Sequence, residues 1–292
     1  MKKVGIITIV DYDNYGNRLQ NYAVQEVLKS LGWESETIVN KPFNMNNIPL
    51  RISRFLKKSK KELIASLMIK LHIAIKKLRQ GILKTKYEKK QLENNQRIEK
   101  LKKDREARFK EFTKENIKET PYTVTPDSIP NDLYKNYNYF IVGSDQDWNP
   151  HYRMGSSIDF LTFAKPEQRI AFSASFGVSN IPHQYTNNYR KWLSEMQCIS
   201  VREETGAEIV KNLTGKNVDV LVDPTLLLNK EQWLSIAKSS KYKPNKRYIL
   251  TYFLGELSQK TIKTIDYISK QHNLEIVNLA NAEDEKKFLS DP

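Results

Sequence analysis

The segment 143–150 carries more polar chemistry than a turn requires, because it reads Gly-Ser-Asp-Gln-Asp-Trp-Asn-Pro directly after an apolar run. Gly143 permits close approach of a ligand to the backbone. Ser144 and Asp145 can bind sugar hydroxyls or take part in proton transfer, and Gln146 adds an amide. The competing interpretation is a polar turn with its tryptophan packed underneath. We favour function, with Asp145 as the candidate catalytic residue and the other three as candidate substrate-binding residues.

Two other positions suit an anion. Gly16 and Asn17 lie at the start of a predicted helix, where free backbone N–H groups and the helix dipole attract a phosphate or carboxylate. The alternative is that Asn17 caps the helix beside a flexible glycine. Arg202 lies where a buried strand emerges, and its guanidinium can clamp a carboxylate or phosphate at two points. The alternative is an ion pair with Glu203 or Glu204, and the sequence leaves both choices open.

The scaffold that positions these residues is predicted to be α/β. Val4–Val10 is a continuous apolar run, typical of a parallel strand buried on both faces, and a loop, a helix and a second strand, Ser35–Val39, follow it. This order indicates an open parallel sheet, in which ligands bind at the carboxyl ends of the strands. Ser175 and Gly255 follow later predicted strands and are therefore further substrate-binding candidates. Asp223 also follows a strand, but its place before a proline favours a structural cap.

The composition narrows the classes of function. Of the 292 residues, 39% are hydrophobic and 28% are charged, which is enough for a buried core. The one cysteine, Cys198, excludes an internal disulfide, and its strand-like surroundings predict a buried structural thiol. No Cys/His cluster has zinc-site spacing, and neither the dinucleotide fingerprint nor the P-loop is present. Zinc, nicotinamide and ATP chemistry are therefore disfavoured.

The net charge of +14 comes from one segment. Residues 51–118 contain 23 Lys/Arg and 8 Asp/Glu, whereas the remaining residues contain 25 basic and 26 acidic side chains. We interpret 46–118 as a basic helical insertion with helices over about 64–82 and 86–116. It forms either a solvated hairpin packed on the domain or a surface that contacts anionic lipid. Nucleic acid is not expected, because the segment has few aromatic residues and no binding motif.

The element pattern predicts two domains. Residues 1–242 form an N-terminal α/β domain that contains the insertion, and a polar stretch separates it from a strand–helix–strand segment at 243–292. About 45 residues of this kind cannot enclose a core of their own. We therefore expect 243–292 to be the beginning of a truncated second α/β domain. The alternative is that its strands extend the first sheet.

Several short stretches together carry a family resemblance that spans nearly the whole chain except the basic insertion. They are Gly5–Ile9 (GIITI), Asn14–Ala23 (NYGNRLQNYA), Val142–Pro150 (VGSDQDWNP), Arg169–Gly177 (RIAFSASFG), Ile199–Ala207 (ISVREETGA) and Val222–Leu228 (VDPTLLL). In this order and spacing they resemble the polysaccharide pyruvyl transferase family. Any one of the stretches alone would be unspecific.

The resemblance implies a glycosyltransferase-B-like architecture, with a Rossmann-like domain that carries the basic insertion and the start of a second Rossmann-like domain. It implies transfer of the enolpyruvyl group of phosphoenolpyruvate to a pair of sugar hydroxyls, closing a ketal, in exopolysaccharide synthesis. Phosphoenolpyruvate is then a substrate, no cofactor is expected, and the acceptor is a sugar or lipid-linked glycan. On this view Arg202 and the amides near Gly16 and Asn17 hold the donor's anionic groups, while Asp145 binds the sugar or transfers a proton.

One family feature has no counterpart here. A Ser-Phe-His-Gly-like motif with a catalytic histidine is expected in the C-terminal domain, and nothing after Leu279 matches it. By resemblance it would follow the last residue, and none of the four histidines present takes its role. We expect a cytoplasmic enzyme whose basic segment contacts the inner membrane face. The alternatives are a glycosyltransferase that uses a nucleotide sugar and a non-catalytic protein that binds glycans or anions.

Overall fold

The chain divides into two compact units, each with its own sheet. The computed structural model describes residues 2–42, 86–240, 243–253 and 255–279. Within that part, unit 1 takes in residues 2–42 and 109–236, and unit 2 takes in residues 86–108 and those from 237 onward. The first predicted helix of the insertion, over about 64–82, lies outside the described residues.

Unit 1 is built on a seven-stranded sheet in which all strand pairs are parallel. In chain order the strands are β1 (Lys3–Ile7), β2 (Glu34–Asn40), β3 (Glu119–Val124), β4 (Tyr139–Val142), β5 (Arg169–Ala174), β6 (Cys198–Val201) and β7 (Asp219–Val220). Across the sheet they lie in the order β3-β2-β1-β4-β5-β6-β7. The direction of strand addition therefore reverses between β1 and β4, as in Rossmann-like sheets. The predicted α/β class with a parallel sheet is confirmed.

Apolar side chains cover both faces of this sheet. Ile7 and Phe140 belong to the largest core cluster, on one face, whereas Val4, Ile6 and Ile141 pack in a smaller cluster on the other. Successive residues of a strand point to opposite faces, so both faces must be apolar when both are buried. This is why the central strands appear in the sequence as continuous apolar runs rather than as alternating ones.

Six α-helices precede residue 237 in the described part of the chain, and several of them have recognisable caps. In chain order they are α1 (Tyr15–Ser30), α2 (Lys86–Asn116), α3 (Pro150–Arg153), α4 (His183–Ser194), α5 (Glu204–Thr214) and α6 (Lys230–Ile236). The side chain of Asn14 caps α1, and Gly215, with a φ of +76°, ends α5. The helix predicted over 86–116 is confirmed as α2, and its residues 109–116 belong to unit 1.

Two local features differ from the sequence-based predictions. Strand β3 is missing from them, because its sequence, ETPYTV, contains a proline and mostly polar residues. Among the described strands it lies at the edge and pairs only with β2, and a register shift interrupts that pairing. Cys198 does lie on a strand, β6, but it is exposed and not the predicted buried thiol.

Unit 2 contains a parallel strand pair joined by a helix. Its elements are β8 (Tyr248–Tyr252), α7 (Gln259–His272) and β9 (Glu275–Leu279), and the side chain of Ser258 caps α7. β8 and β9 form a two-stranded sheet separate from the seven-stranded one, so they do not extend the first sheet. The domain boundary between residues 242 and 243 stays a prediction. Among the described helices, none combines the length and apolar character needed to cross a bilayer.

Candidate active site at the carboxyl ends of the strands

The predicted polar residues of unit 1 meet where the strand order reverses. The loops after β1 and β4 leave the carboxyl edge of the sheet side by side, because these two strands are neighbours with Ile7 opposite Val142. In open α/β sheets this reversal opens a crevice in which ligands bind. Asn17, at the start of α1, and Asp145, in the loop after β4, are brought together here.

Asn17 joins the two loops through its side chain. Its Nδ2 donates to Oδ2 of Asp145 at 2.6 Å and to the carbonyl of Ile9 at 2.7 Å, and its Oδ1 accepts from the amide of Asp11 at 3.0 Å. Oδ1 of Asp145 accepts from the amide of Gln146 at 2.7 Å. Both carboxylate oxygens are therefore held in fixed directions, while Asp145 itself remains partly exposed.

The expected anion-binding role of Asn17 is not supported by this geometry. Its side chain is buried and its backbone amide donates to Oδ1 of Asn14 at 3.1 Å. Asn14 caps the helix, so the alternative in which Asn17 is the cap is also wrong. Gly16 is exposed, and a Cβ added there would meet only Oδ1 of Asn14, at 3.5 Å. Among the described residues, packing therefore does not require glycine at this position.

Ser144, Arg202 and Asp223 form a second junction. The hydroxyl of Ser144 and Nη1 of Arg202 both donate to Oδ2 of Asp223 at 3.0 Å, and Nη1 also donates to the carbonyl of Ser144 at 2.8 Å. The amide of Ser144 donates to Gln20 at 3.0 Å, so every polar group of this buried serine has a protein partner. Ser144 therefore connects three segments, contrary to the expectation that it faces a ligand.

Asp223 has two functions in this junction. Its Oδ1 accepts from the amide and the hydroxyl of Thr225, which is the predicted structural cap, and its Oδ2 receives Arg202 and Ser144. Burial alone would raise the pKa of Asp223, but the hydrogen bonds from Thr225, Arg202 and Ser144 outweigh it and lower the pKa below its usual value. The carboxylate is thus ionised at neutral pH, and it fixes Arg202.

Arg202 keeps capacity for a ligand. Its side chain is 29% exposed, and its partner is Asp223 rather than Glu203 or Glu204. Among the described residues, its Nε and Nη2 have no hydrogen-bond partner, because only Nη1 is used. A guanidinium held at one nitrogen, with the N–H groups of its other two nitrogens left over, suits a carboxylate or phosphate.

Ser175 and Gly143 are buried residues that support the loops bordering the site. The hydroxyl of Ser175 donates to Glu203 at 3.1 Å, and the next amide, of Phe176, donates to the same oxygen at 2.8 Å. Ser175 is buried, so it orders the loop after β5 rather than facing a ligand. Gly143 has a φ of +122°, and a Cβ there would lie 2.2 Å from the carbonyl oxygen of Phe172. Packing against Phe172 therefore requires glycine at position 143, whether or not a ligand approaches the backbone there.

Of the two remaining predicted substrate-binding residues, Gln146 lies in the unit 1 cluster and Gly255 does not. Oε1 of Gln146 accepts from Nδ2 of Asn149 at 2.8 Å and fills the space beside Gly177, which leaves its Nε2 as the group able to bind a ligand. Gly255 lies in unit 2 after β8, exposed and with a φ of +102°, and is not part of the cluster in unit 1. Of the histidines, His151, His183 and His272 are exposed.

Asp147 is a buried carboxyl that the sequence analysis did not single out. Its side chain has no exposed surface, and within the described residues neither of its oxygens makes a hydrogen bond of ordinary geometry. Burial raises the pKa of Asp147 well above its usual range, and the charges of Asp145 and Asp159 raise it further. Arg153 and the amide of Ile9 oppose this rise.

Beneath Asp147 lies a buried ion pair. Arg153 donates from Nε to Oδ2 of Asp159 at 2.9 Å and from Nη2 to the other oxygen of Asp159, and Nη2 also reaches Oδ1 of Asn40, at the end of β2. Both members of the pair are almost fully enclosed. The positive charge of Arg153 is therefore committed to Asp159, and Asp147 has no cation of its own in the described structure.

A third cluster joins helix α1 and the loop before it to the start of β3. Arg18, buried in α1, donates from Nη1 to Oε1 of Glu119 at 2.7 Å, and the hydroxyl of Tyr12 donates to Oε2 at 2.8 Å. Burial and the bond to Glu119 raise the pKa of Tyr12 to about 12. Glu119 is the first residue of β3, so missing that strand also hid this cluster. The sequence did contain one indication of this cluster. The helical periodicity of Asn14–Ala23 places Arg18 on the inner face of the helix, where a buried arginine needs an acidic partner.

Comparison with known proteins identifies the family but adds no close relative. Neither the search of curated proteins nor that of solved structures finds a match. No group of three or more His, Cys, Asp or Glu in the described ranges has the arrangement of a metal site. The family model described as polysaccharide pyruvyl transferase matches residues 14–292, which include the Asn17–Asp145 and Ser144–Arg202–Asp223 junctions. The chain therefore belongs to the polysaccharide pyruvyl transferase family.

Proposed function

We propose that this protein transfers the pyruvyl group of phosphoenolpyruvate to two hydroxyls of a sugar, forming a ketal in the synthesis of a cell-surface polysaccharide. The family membership supports transfer of this kind. The observation that carries the proposal in unit 1 is the pairing of an oriented carboxylate, Asp145, with a partly free guanidinium, Arg202, in loops at the same sheet edge. The first suits hydroxyl groups, and the second suits an anion.

The chemistry requires one acid, one base and support for the anionic donor. A proton adds to the methylene carbon of phosphoenolpyruvate, which becomes a methyl group, and positive charge develops at the neighbouring carbon. One sugar hydroxyl attacks that carbon and loses its proton, and the C–O bond to phosphate breaks as the second hydroxyl attacks. Of the two hydroxyl protons, one replaces the proton given to the methyl group and the other leaves with inorganic phosphate. Asp145 is our candidate for taking up or giving these protons.

The direct test is calorimetric titration of phosphoenolpyruvate into the protein and into Arg202→Ala. Loss of a charge-assisted contact costs about 1.5–3 kcal/mol, so affinity should fall about tenfold or more. Arg190→Ala is the matched control, because Arg190 is an exposed arginine of α4 whose partners are Leu213 and Asn187. It should bind like the parent.

Two results would count against this proposal. Equal losses for both arginine variants would mean that only general charge is involved. Tighter binding of a nucleotide sugar than of phosphoenolpyruvate would favour the glycosyltransferase alternative. Release of inorganic phosphate from phosphoenolpyruvate, dependent on an added sugar acceptor and lost in Asp145→Asn, would demonstrate turnover.

We also propose that the acceptor is lipid-linked and that the basic segment 51–118 holds the protein on the inner membrane face. The support is the concentration of positive charge, since this segment has 15 more basic than acidic residues and the remaining residues are close to neutral. Basic side chains near an anionic bilayer gain about 1 kcal/mol each. This proposal places the enzyme in the cytoplasm as a peripheral protein.

A further inference from the structure

We propose that Asp147 is a positioning residue which, by remaining uncharged behind Asp145, limits the carboxyl pair of the site to a single negative charge. This inference deepens the proposed function and rests on it for the identity of the ligand. The pair lies in one loop after β4, with Asp145 partly exposed at the edge and Asp147 fully enclosed behind it. Two carboxylates this close in sequence and space cannot both be charged without a large electrostatic cost.

The loop geometry holds the pair in place. The amide of Ser175 donates to the carbonyl of Asp145 at 3.0 Å, and the carbonyl of Ser175 accepts from the amide of Trp148 at 3.2 Å. These two bonds bracket residues 146 and 147. The indole of Trp148 donates to the carbonyl of Asp159 at 2.8 Å, which keeps the loop pressed onto the core. The carboxyl group of Asp147 therefore cannot turn into solvent unless the hydrogen bonds of Ser175 to Asp145 and Trp148 break.

In the part of the chain that the structure describes, the surroundings of Asp147 offer no free cation as a charge partner. The groups that face it are Asp145 in its own loop, Asp159 and Arg153 in the segment that follows, and the amide of Ile9 after β1. Arg153 is occupied by Asp159 and Asn40. Burial with two negative neighbours and a committed cation favours the protonated form, and both oxygens lack the hydrogen bonds that a buried carboxylate needs.

The consequence concerns an anionic ligand. Phosphoenolpyruvate carries a phosphate and a carboxylate, and a second negative charge beside Asp145 would repel it. With Asp147 neutral, Asp145 carries the pair's one negative charge and exchanges protons with the reactants without a second carboxylate behind it. When rising pH ionises Asp147, affinity for the anion should fall. The pair thus sets the alkaline limit of binding.

The first measurement is independent of any ligand. Infrared spectra of the C=O stretch distinguish a protonated carboxyl from a carboxylate. At about pH 7, where an ordinary Asp is ionised, the parent protein should show a protonated-carboxyl band that Asp147→Asn and Asp147→Val both lose. Asp127→Asn, a change of an exposed turn residue, should keep it. A parent spectrum whose band is unaffected by the Asp147 variants would overturn the proposal, whatever the protein's function.

The second measurement is calorimetric titration of phosphoenolpyruvate from about pH 7.5 to about pH 9, above the second pKa of its phosphate, which is about 6. Parent affinity should fall about tenfold or more as the infrared band disappears, and both Asp147 variants should stay level over that range. A merely structural Asp147 would leave the pH profiles parallel, which would also overturn the proposal. If phosphoenolpyruvate binds at no pH, the proposed function fails and the infrared result alone decides the state of the pair. Asp147→Val covers the case in which the asparagine variant does not fold.

Discussion

Positions 16 and 143 border the same site, but packing requires glycine only at position 143. A Cβ at Gly143 would overlap the carbonyl of Phe172 at 2.2 Å and would require a φ of +122°, whereas one at Gly16 would meet nothing closer than 3.5 Å. We expect Gly143→Ala to destabilise by at least about 2–3 kcal/mol through strain and overpacking. Gly16→Ala, in the first turn of a helix, should be neutral or stabilise by up to about 1 kcal/mol.

The Gly16 variant also tests whether the start of α1 binds an anion. If a ligand approaches the backbone at Gly16, the alanine variant should bind phosphoenolpyruvate more weakly although it is as stable as the parent in urea unfolding. Gly215→Ala is the control for a change in stability alone, since Gly215 has a positive φ, unlike Gly16, and no described atom lies within 4 Å of its Cβ position. It should cost about 1 kcal/mol without changing affinity. Unchanged affinity in Gly16→Ala would leave only the structural interpretation.

At the level of single residues, the sequence predicts which polar side chains lie at the strand ends, but it does not predict which of them are exposed to a ligand. Asp145 and Arg202 were predicted to act at strand ends, and the structure leaves both partly exposed there. Asn17, Ser144 and Ser175 were also predicted to contact substrate, but they are buried and bonded to protein groups. Polar residues that order a loop and polar residues that face a ligand have the same composition. Only the three-dimensional partners distinguish them.

At the level of elements, β3 shows where sequence reasoning stops. A central strand is recognisable because both of its faces are apolar, but an edge strand with a proline and a register shift has no such pattern. β3 is held partly by polar contacts: Glu119 meets Arg18 of α1 and Tyr12, and the carbonyl of Lys118 accepts from Gln25 at 2.9 Å. These contacts join residues about a hundred positions apart, which local patterns do not reveal.

The Arg18–Glu119 pair gives a prediction at this level. Arg18 is 1% exposed, so Glu119→Ala leaves a buried cation without its partner and should destabilise by about 3 kcal/mol or more in urea unfolding. Tyr12→Phe removes only a hydroxyl from the same carboxylate and should cost about 1 kcal/mol. The double variant Arg18→Met, Glu119→Ala should recover part of the loss. Equal costs for Glu119→Ala and Tyr12→Phe would mean that water replaces the ion pair and that β3 does not depend on it.

Along the whole sequence, the excess positive charge and the candidate catalytic residues fall in different segments. The basic excess lies in residues 51–118, whereas the edge of unit 1 is rich in carboxylates such as Asp145 and Asp223. Helix α2 presents exposed lysines at positions 100, 103 and 114. A protein with evenly spread charge would bind an anionic surface in any orientation, but this distribution favours contact through the insertion.

The last prediction follows from that asymmetry and concerns vesicles. The triple variant Lys100→Gln, Lys103→Gln, Lys114→Gln should bind anionic vesicles up to about a hundredfold more weakly than the parent, at about 1 kcal/mol for each lysine that reaches the surface. The matched triple variant Lys191→Gln, Lys211→Gln, Lys230→Gln, also exposed and with the same change in net charge, should bind like the parent. Binding should weaken with added salt and be absent on zwitterionic vesicles, since the attraction is electrostatic. Equal losses for the two triple variants would show that total charge, not the insertion, governs binding. If the parent does not bind at all, the membrane proposal is wrong, whereas the pyruvyl transfer proposal is unaffected.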